Sequence, residues 1–377
     1  MKYVDEYRDP AAARQLIDAI RRRATRRHVI MEVCGGQTHS LLRHGIDAEL
    51  ADVVDLVHGP GCPVCVTSLE SLERAQQLAE RGDVLLCSFG DMLRVPGSRR
   101  SLLDVRAAGG RVRAVYSPLD AVELARRDPA TEVVFFAVGF ETTAPATALA
   151  VRHAARLRLK NFSLLVSHVR VQPAMEAVMS SANCRINAFL AAGHVCTVVG
   201  YESYHEFAAR YRVPVVVTGF EPLDLLSGIL ACVEQLEDGR AEVENRYGRS
   251  ARESGNVSAR DMVQGVFEVC DRVWRGLGVV PRGGLKLRAA WSPFDAEQRF
   301  AEDDTLPMLP VIEPLPCRSG DVLSGRIKPT ECPSFGVGCT PEIPLGAPMV
   351  SSEGACAAYY RYTSRPVIAS AVSGDIS

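Results

Sequence analysis

The chain has 377 residues, 47% of them hydrophobic, and its 43 Lys and Arg nearly balance 45 Asp and Glu to leave a formal net charge of -2. That length and apolar content predict a core divided over two or three domains, while the balanced charge provides no overall field to draw the protein to nucleic acid or an anionic membrane. Met1 to Pro10 carries charges and no apolar h-region, and no stretch reaches the apolar length of a membrane span, so a cytoplasmic protein is expected.

A helical pattern begins near Ala11 and ends in Arg21, Arg22, Arg23, Arg26 and Arg27, cations that suit a helix C-terminus and read as a solvated face rather than a docking patch. From His28 to about Phe220 one unit recurs: a short apolar, β-branched run, a Gly-containing turn, then a helical stretch. The runs are His28 to Val33, Val53 to Val57, Val84 to Cys87, Val112 to Tyr116, Val133 to Val138, Ser163 to Val166, Ala188 to Ala191 and Val213 to Thr218. Such βα repetition predicts parallel sheets, and these runs suffice for two small ones. The segments around Gly139-Phe140-Glu141 and Gly219-Phe220-Glu221 both read apolar strand, Gly-Phe-Glu, helix start, a short echo that suggests two related halves.

The expected division is therefore a first α/β domain over 25–147, a second over 148–255, and a third over 256–377 that includes the N-terminal helix 1–24. The fold class is α/β: two similar small parallel-sheet domains plus a C-terminal domain of helices and irregular loops. A helix from Asp261 to Gly276 is expected at the start of the third domain, followed by a Gly- and Pro-rich region and four cysteines.

Twelve cysteines in a reducing compartment point to metal or thiol chemistry rather than a disulfide framework. Cys184, Cys196, Cys232 and Cys270 lie in mainly apolar or helical surroundings and are read as small hydrophobes. Seven of the others, Cys34, Cys62, Cys65, Cys317, Cys332, Cys339 and Cys356, stand where chemistry is expected. Open parallel sheets bind ligands at the carboxyl ends of their strands; there the sequence puts Cys34, Cys62, Cys65, Asp91, Glu141, Thr142, Thr143, His168 and His194, the two histidines reading first as polar core or rim residues and only second as ligands. Convergence on a cleft between the halves follows.

Cys62-Pro-Val-Cys65 precedes a helix running to about Glu80, with Thr67 and Glu70 at capping-box spacing. A helix N-terminus stabilises a thiolate, which suits disulfide exchange or a transient soft metal; half of a zinc site is the alternative. Cys34, between a strand and two glycines with His39 five residues on, offers a thiolate and an imidazole to iron, zinc or copper, or else is a buried turn cysteine beside an unrelated histidine. Cys317, Cys332, Cys339 and Cys356 sit in a proline-punctuated region with little apolar pattern. Four thiolates around a metal centre would offset its ordering cost, and ligand count leaves a 4Fe-4S cluster and a zinc site equally open.

The motifs MEVCGGQTH (Met31 to His39), HGPGCPVC (His58 to Cys65), CSFGDMLRVPG (Cys87 to Gly97), YSPLDA (Tyr116 to Ala121), GFETT (Gly139 to Thr143), GHV (Gly193 to Val195), GFEPLDLLSG (Gly219 to Gly228), WRGLG (Trp274 to Gly278) and SSEGACAAYY (Ser351 to Tyr360) are together highly specific. With the cysteine quartet they resemble the HypD family of hydrogenase maturation proteins, over roughly Met1 to Tyr362. The resemblance implies two α/β domains and a third, Fe-S domain with a 4Fe-4S cluster on Cys317, Cys332, Cys339 and Cys356. It also implies a complex with a small HypC-type chaperone, with Fe(II) held jointly by a chaperone cysteine and Cys34. A HypE-type protein then delivers cyanide, and a carbonyl is added to complete the Fe(CN)2CO unit for the large subunit of nickel-iron hydrogenase. Cys62 and Cys65 would be a thiol pair passing electrons between cluster and assembly site.

One departure stands out: the family usually reads CGGHTH, and Gln37 here replaces the first histidine, so either that histidine is dispensable or His39 and His194 carry its role. Asp91, Glu141, Thr142 and Thr143 would hydrogen-bond cyanide nitrogens, or else cap helices. The expectation is an assembly scaffold rather than a conventional turnover enzyme. The rivals are a thiol-disulfide oxidoreductase working through Cys62 and Cys65, and a purely structural adaptor.

Overall fold

The computed structural model describes residues 5–301 and 317–363. In chain order its strands are β1 (His28–Glu32), β2 (Val54–His58), β3 (Val84–Ser88), β4 (Val112–Ala114), β5 (Glu132–Gly139), β6 (Phe162–His168), β7 (Ala188–Ala192), β8 (Val215–Thr218), β9 (Val243–Asn245), β10 (Phe267–Trp274) and β11 (Gly278–Leu287). All eight apolar runs read from the sequence are strands. Except in the edge strand β4, where Arg113 and Ala114 are exposed, their residues are almost wholly buried, which is why they read as continuous apolar stretches rather than alternating ones.

The strands form two parallel sheets, ordered β2-β1-β7-β8-β9 and β4-β3-β5-β6. Within each, the first strand in sequence has the second on one side and the third and fourth on the other. The two units share a doubly-wound order, and one is inserted in the other between β2 and β7. The sheets thus divide the chain differently from a cut at 147/148: His28 to His58 belongs with Ala188 to Asn245, because Ile30 to Glu32 pairs in register with Ala188 to Leu190. The Gly-Phe-Glu echo follows β5, third in its sheet, and β8, fourth in its own, so the repeated tripeptide does not mark equivalent positions.

The N-terminal helix Pro10–Arg23 is capped by Asp9, whose carboxylate accepts from the amides of Ala11 and Ala12, and it buries Ile20 against the helix Pro222–Glu237. Its basic tail is tied to the fold: Arg21 pairs with Asp52 at 3.2 Å, Arg23 with Asp238, and Arg27 with Asp55 at 3.3 Å.

The helix expected over Asp261 to Gly276 is instead Val257–Val266 followed by β10, which pairs antiparallel with β11. The reason is visible in the side chains: Glu268, Cys270 and Arg272 are half-buried while Val269, Asp271 and Val273 are exposed, a period of two rather than 3.6. Trp274, fully buried, anchors the hairpin with its indole N-H donating to Gly283 O at 3.0 Å. Beside it the Arg275 amide donates to Val66 O at 2.9 Å and Trp274 bridges Thr67, so the hairpin braces the chain just after Cys65.

Residues 317–363 contribute short helical pieces and the helix Ala355–Thr363, which packs on the helix Gly35–Arg43. No helix among the described residues is long and apolar enough to cross a membrane.

Candidate metal and thiol centre

β1 and β7 are neighbours from which the chain departs to opposite sides, so their carboxyl ends border the crevice where an open α/β sheet binds ligands. Cys34 is the N-cap of the helix Gly35–Arg43 after β1, and His194 is the second residue of the helix Gly193–Val199 after β7. The sheet brings them together: Cys34 Sγ lies 3.7 Å from His194 Nδ1. A Cβ on Gly193 would collide with Thr218 O, so only glycine lets this turn approach β8. The imidazole packs on Phe220, ring centres 5.3 Å apart, and Phe220 also covers Gly36. Burial pushes the Cys34 thiol well above the usual range, and burial lowers His194 to about 4, so the pair is neutral as it stands.

His39 does not join this pair. It projects from the same helix to the C-terminal helix, where Nε2 lies 2.7 Å from Tyr362 Oη in an edge-on ring contact. Gln37 is fully buried, and its amide donates to Thr218 Oγ1 at 2.6 Å and to Ala191 O at 3.2 Å, pinning the helix to β7 and β8. The residue replacing the usual histidine therefore has a packing role, and the imidazole beside Cys34 comes from His194.

Cys62 and Cys65 are joined as a disulfide, both nearly fully buried. The cap expected at Thr67 is one residue later: Ser68 caps the long helix Leu69–Glu80, and the cysteines belong to a separate turn, Pro63–Val66, at whose start Cys62 Sγ accepts from Cys65 N at 3.2 Å. Two contacts place this turn. Gly35 N donates to Gly61 O at 3.0 Å, joining it to the Cys34 turn, and its other side packs on Ala347–Met349.

Cys317, Cys332, Cys339 and Cys356 line one small pocket, with Val322, Phe335, Leu345, Pro348 and Met349 among its walls. The Leu345 amide donates to Cys339 Sγ at 3.3 Å, and Gly346 leaves room for Cys317 Sγ that a Cβ would occupy. No three His, Cys, Asp or Glu side chains among the described residues are gathered closely enough to hold a single ion. Four thiols spread around an apolar cradle, with a backbone donor to sulfur, are a donor set that fits a cluster. The short helix Ala347–Met349, which the Cys62–Cys65 turn packs on, supplies Pro348 and Met349 to the wall of this pocket.

The remaining strand-end candidates have structural partners. Asp91 accepts from Ser351 Oγ at 3.2 Å, holding the loop before Cys356. Glu141 accepts from the Val171 amide at 3.1 Å, at the start of the helix Val171–Met179, and its carboxyl is raised by burial. Thr143 donates to Phe140 O at 3.1 Å and Thr142 is half-buried beside it. His168 is a core residue: Nδ1 lies 3.2 Å from Gly139 O and Nε2 3.0 Å from Thr147 Oγ1.

Sequence reasoning missed Glu32, His58, Tyr359 and Glu353. Glu32 accepts from the Cys34 amide at 2.7 Å, and Glu353 backs onto Gly35, whose Cβ would collide with its carbonyl. The available signal was a charged and a titratable residue each closing an apolar strand, MEVC and VHGP.

The sequence model described as "HypD: Hydrogenase formation hypA family" matches residues 11–363. Among curated proteins, the hydrogenase maturation factor HypD of Rhodobacter capsulatus is 46% identical, covering 96% of this chain and 98% of its own. The hydrogenase expression/formation protein HupD of Azotobacter chroococcum mcd 1 is 48% identical over 96% and 97%. HypD of Escherichia coli (strain K12) is 43% identical over 96% and 98%. On these matches the chain belongs to the HypD family of hydrogenase maturation factors.

Proposed function

We propose that this protein is a cytoplasmic iron-assembly scaffold for nickel-iron hydrogenase, holding Fe(II) while cyanide and carbonyl ligands are added to make the Fe(CN)2CO unit. The observation that carries the reading is the Cys34–His194 pair at the sheet's switch point, 3.7 Å apart, with the Cys62–Cys65 disulfide on the turn that hydrogen-bonds to Gly35. Iron is the cargo. A thiol must lose its proton to ligate it, and neutral His194 Nδ1 is placed to take that proton or to donate its own lone pair to the metal. A cysteine of a HypC-type chaperone would complete the thiolate set from outside, with a HypE-type protein delivering cyanide and the hydrogenase large subunit receiving the product.

The quartet Cys317, Cys332, Cys339 and Cys356 would hold a 4Fe-4S cluster, which supplies one-electron transfer when bound. Cys62 and Cys65 exchange two electrons and two protons between disulfide and dithiol, and their turn touches both the Cys34 loop and the wall of the quartet's pocket. Their burial weighs against the rival oxidoreductase reading, because an incoming protein thiol must reach a sulfur to attack it.

Infrared spectroscopy of the anaerobically purified complex with its HypC-type partner tests the reading. Cyanide and carbonyl stretching bands are expected in wild type and absent in Cys34→Ala. A wild type without such bands, partner bound and cluster absorbance intact, overturns it in favour of the oxidoreductase.

A further inference from the structure

Glu32 closes β1 and His58 closes β2, and the parallel register sets them side by side. Both are almost completely buried, as is Tyr359 on the C-terminal helix. The Glu32 carboxylate is fully engaged: Oε2 accepts from the Cys34 amide at 2.7 Å, while Oε1 accepts from the Thr38 hydroxyl and lies 2.7 Å from His58 Nδ1. His58 Nε2 lies 3.0 Å from Tyr359 Oη, with the rings edge-on at 5.2 Å, and Tyr359 donates onward to Asp47 at 3.3 Å. Tyr359 is one helical turn from Cys356.

We infer that Glu32, His58 and Tyr359 form a buried positioning chain that couples the helix carrying Cys356 to the turn carrying Cys34. The inference rests on the reading of Cys34 as the iron-holding thiol. A carboxylate removed from water stays only where its oxygens are matched by donors; this one is matched by the Cys34 amide, the first turn of its helix and the end of the neighbouring strand. Cys34 is therefore aimed by a group whose own position is fixed from the C-terminal module. Gly35, pressed against the Glu353 carbonyl, adds a second contact between the same two parts. The consequence is mechanical: a shift of the helix that bears Cys356 reaches Cys34 through three side chains, with no main-chain continuity between them.

The test compares wild type with Tyr359→Phe, His58→Gln and Glu32→Gln, each carrying its cluster, in two measurements. The first is the rate at which iodoacetamide alkylates Cys34, followed by mass spectrometry of its peptide. The loss of one buried hydrogen bond is expected to speed it about fivefold in each variant. The second is the position and width of the cyanide and carbonyl bands in the complex with the HypC-type partner, expected to shift or broaden while cluster absorbance stays at the wild-type level. Tyr359→Phe, nearly isosteric, keeps the test decisive if Glu32→Gln fails to fold. Unchanged alkylation together with unchanged bands in folded Tyr359→Phe and His58→Gln overturns the coupling. If wild type shows no bands yet the variants speed alkylation, the iron scaffold reading fails and the positioning chain stands.

Discussion

Gly61 and Cys34 are in main-chain contact: a Cβ on Gly61 would collide with the Cys34 amide nitrogen and Cα. The turn of Cys62 and Cys65 and the turn of Cys34 are thus fitted to each other at the backbone, without any side chain between them. Gly61→Ala should cost about 1–3 kcal/mol of stability through overpacking and lower the iron content of the purified complex. A thermal melt beside an iron assay checks both, and a variant with wild-type melting and full iron would show that the contact yields without consequence.

His194 and His39 separate by their neighbours. His194 faces Cys34 and His39 faces Tyr362, so His194→Ala should weaken iron retention by about tenfold, in the range for groups that orient or supplement a metal ligand. His39→Ala should cost about 1 kcal/mol of stability by losing the Tyr362 bond, with much less effect on iron. Competition with a chelator ranks the two, and equal losses would contradict the assignment.

The cradle of the quartet makes its own prediction at Gly346, where an added Cβ would strike Cys317 Sγ. Gly346→Ala leaves all four cysteines in the sequence yet should reduce incorporation of the cluster, read from visible absorbance per chain after anaerobic reconstitution. Full incorporation would mean that Cys317 has freedom to move aside.

Stability should also fall in mild acid on account of His168. Burial pushes this imidazole down from 6.5 to about 4, and its Nδ1 already faces the Gly139 carbonyl. Above pH 6.5 neither folded nor unfolded chain protonates it. Between 6.5 and 4 the unfolded chain binds the proton and the folded chain does not, so stability is lost as pH falls through that window, by up to about 3 kcal/mol. Denaturant titrations at pH 7 and pH 4.5 should show a smaller decline in His168→Gln than in wild type.

The eight strands from β1 to β8 were legible because each is a short apolar run followed by a helical stretch. β9 was not: Val-Glu-Asn is three residues long, half-buried and half-polar. The order of strands was not legible either, since nothing local in His28 to Glu32 says that its partner is Ala188 to Ala192 rather than Val84 to Ser88. For the same reason Cys34 could be singled out from its turn, but its imidazole could not: His39 is near in sequence and His194 near in space. Glu32 and His58 were hidden by their place inside motifs whose cysteines drew attention first.

The insertion of one sheet into the other also bears on synthesis of the chain. β1 emerges early, but its neighbour β7 comes only after all four strands of the inserted unit. The strands of that unit are contiguous, whereas the outer sheet must wait for a distant closure whose entropy is unfavourable until β7 arrives. The nascent protein therefore cannot assemble the Cys34–His194 pair until more than half of its length has been made, so on the proposed reading a half-built chain has no such pair with which to capture iron.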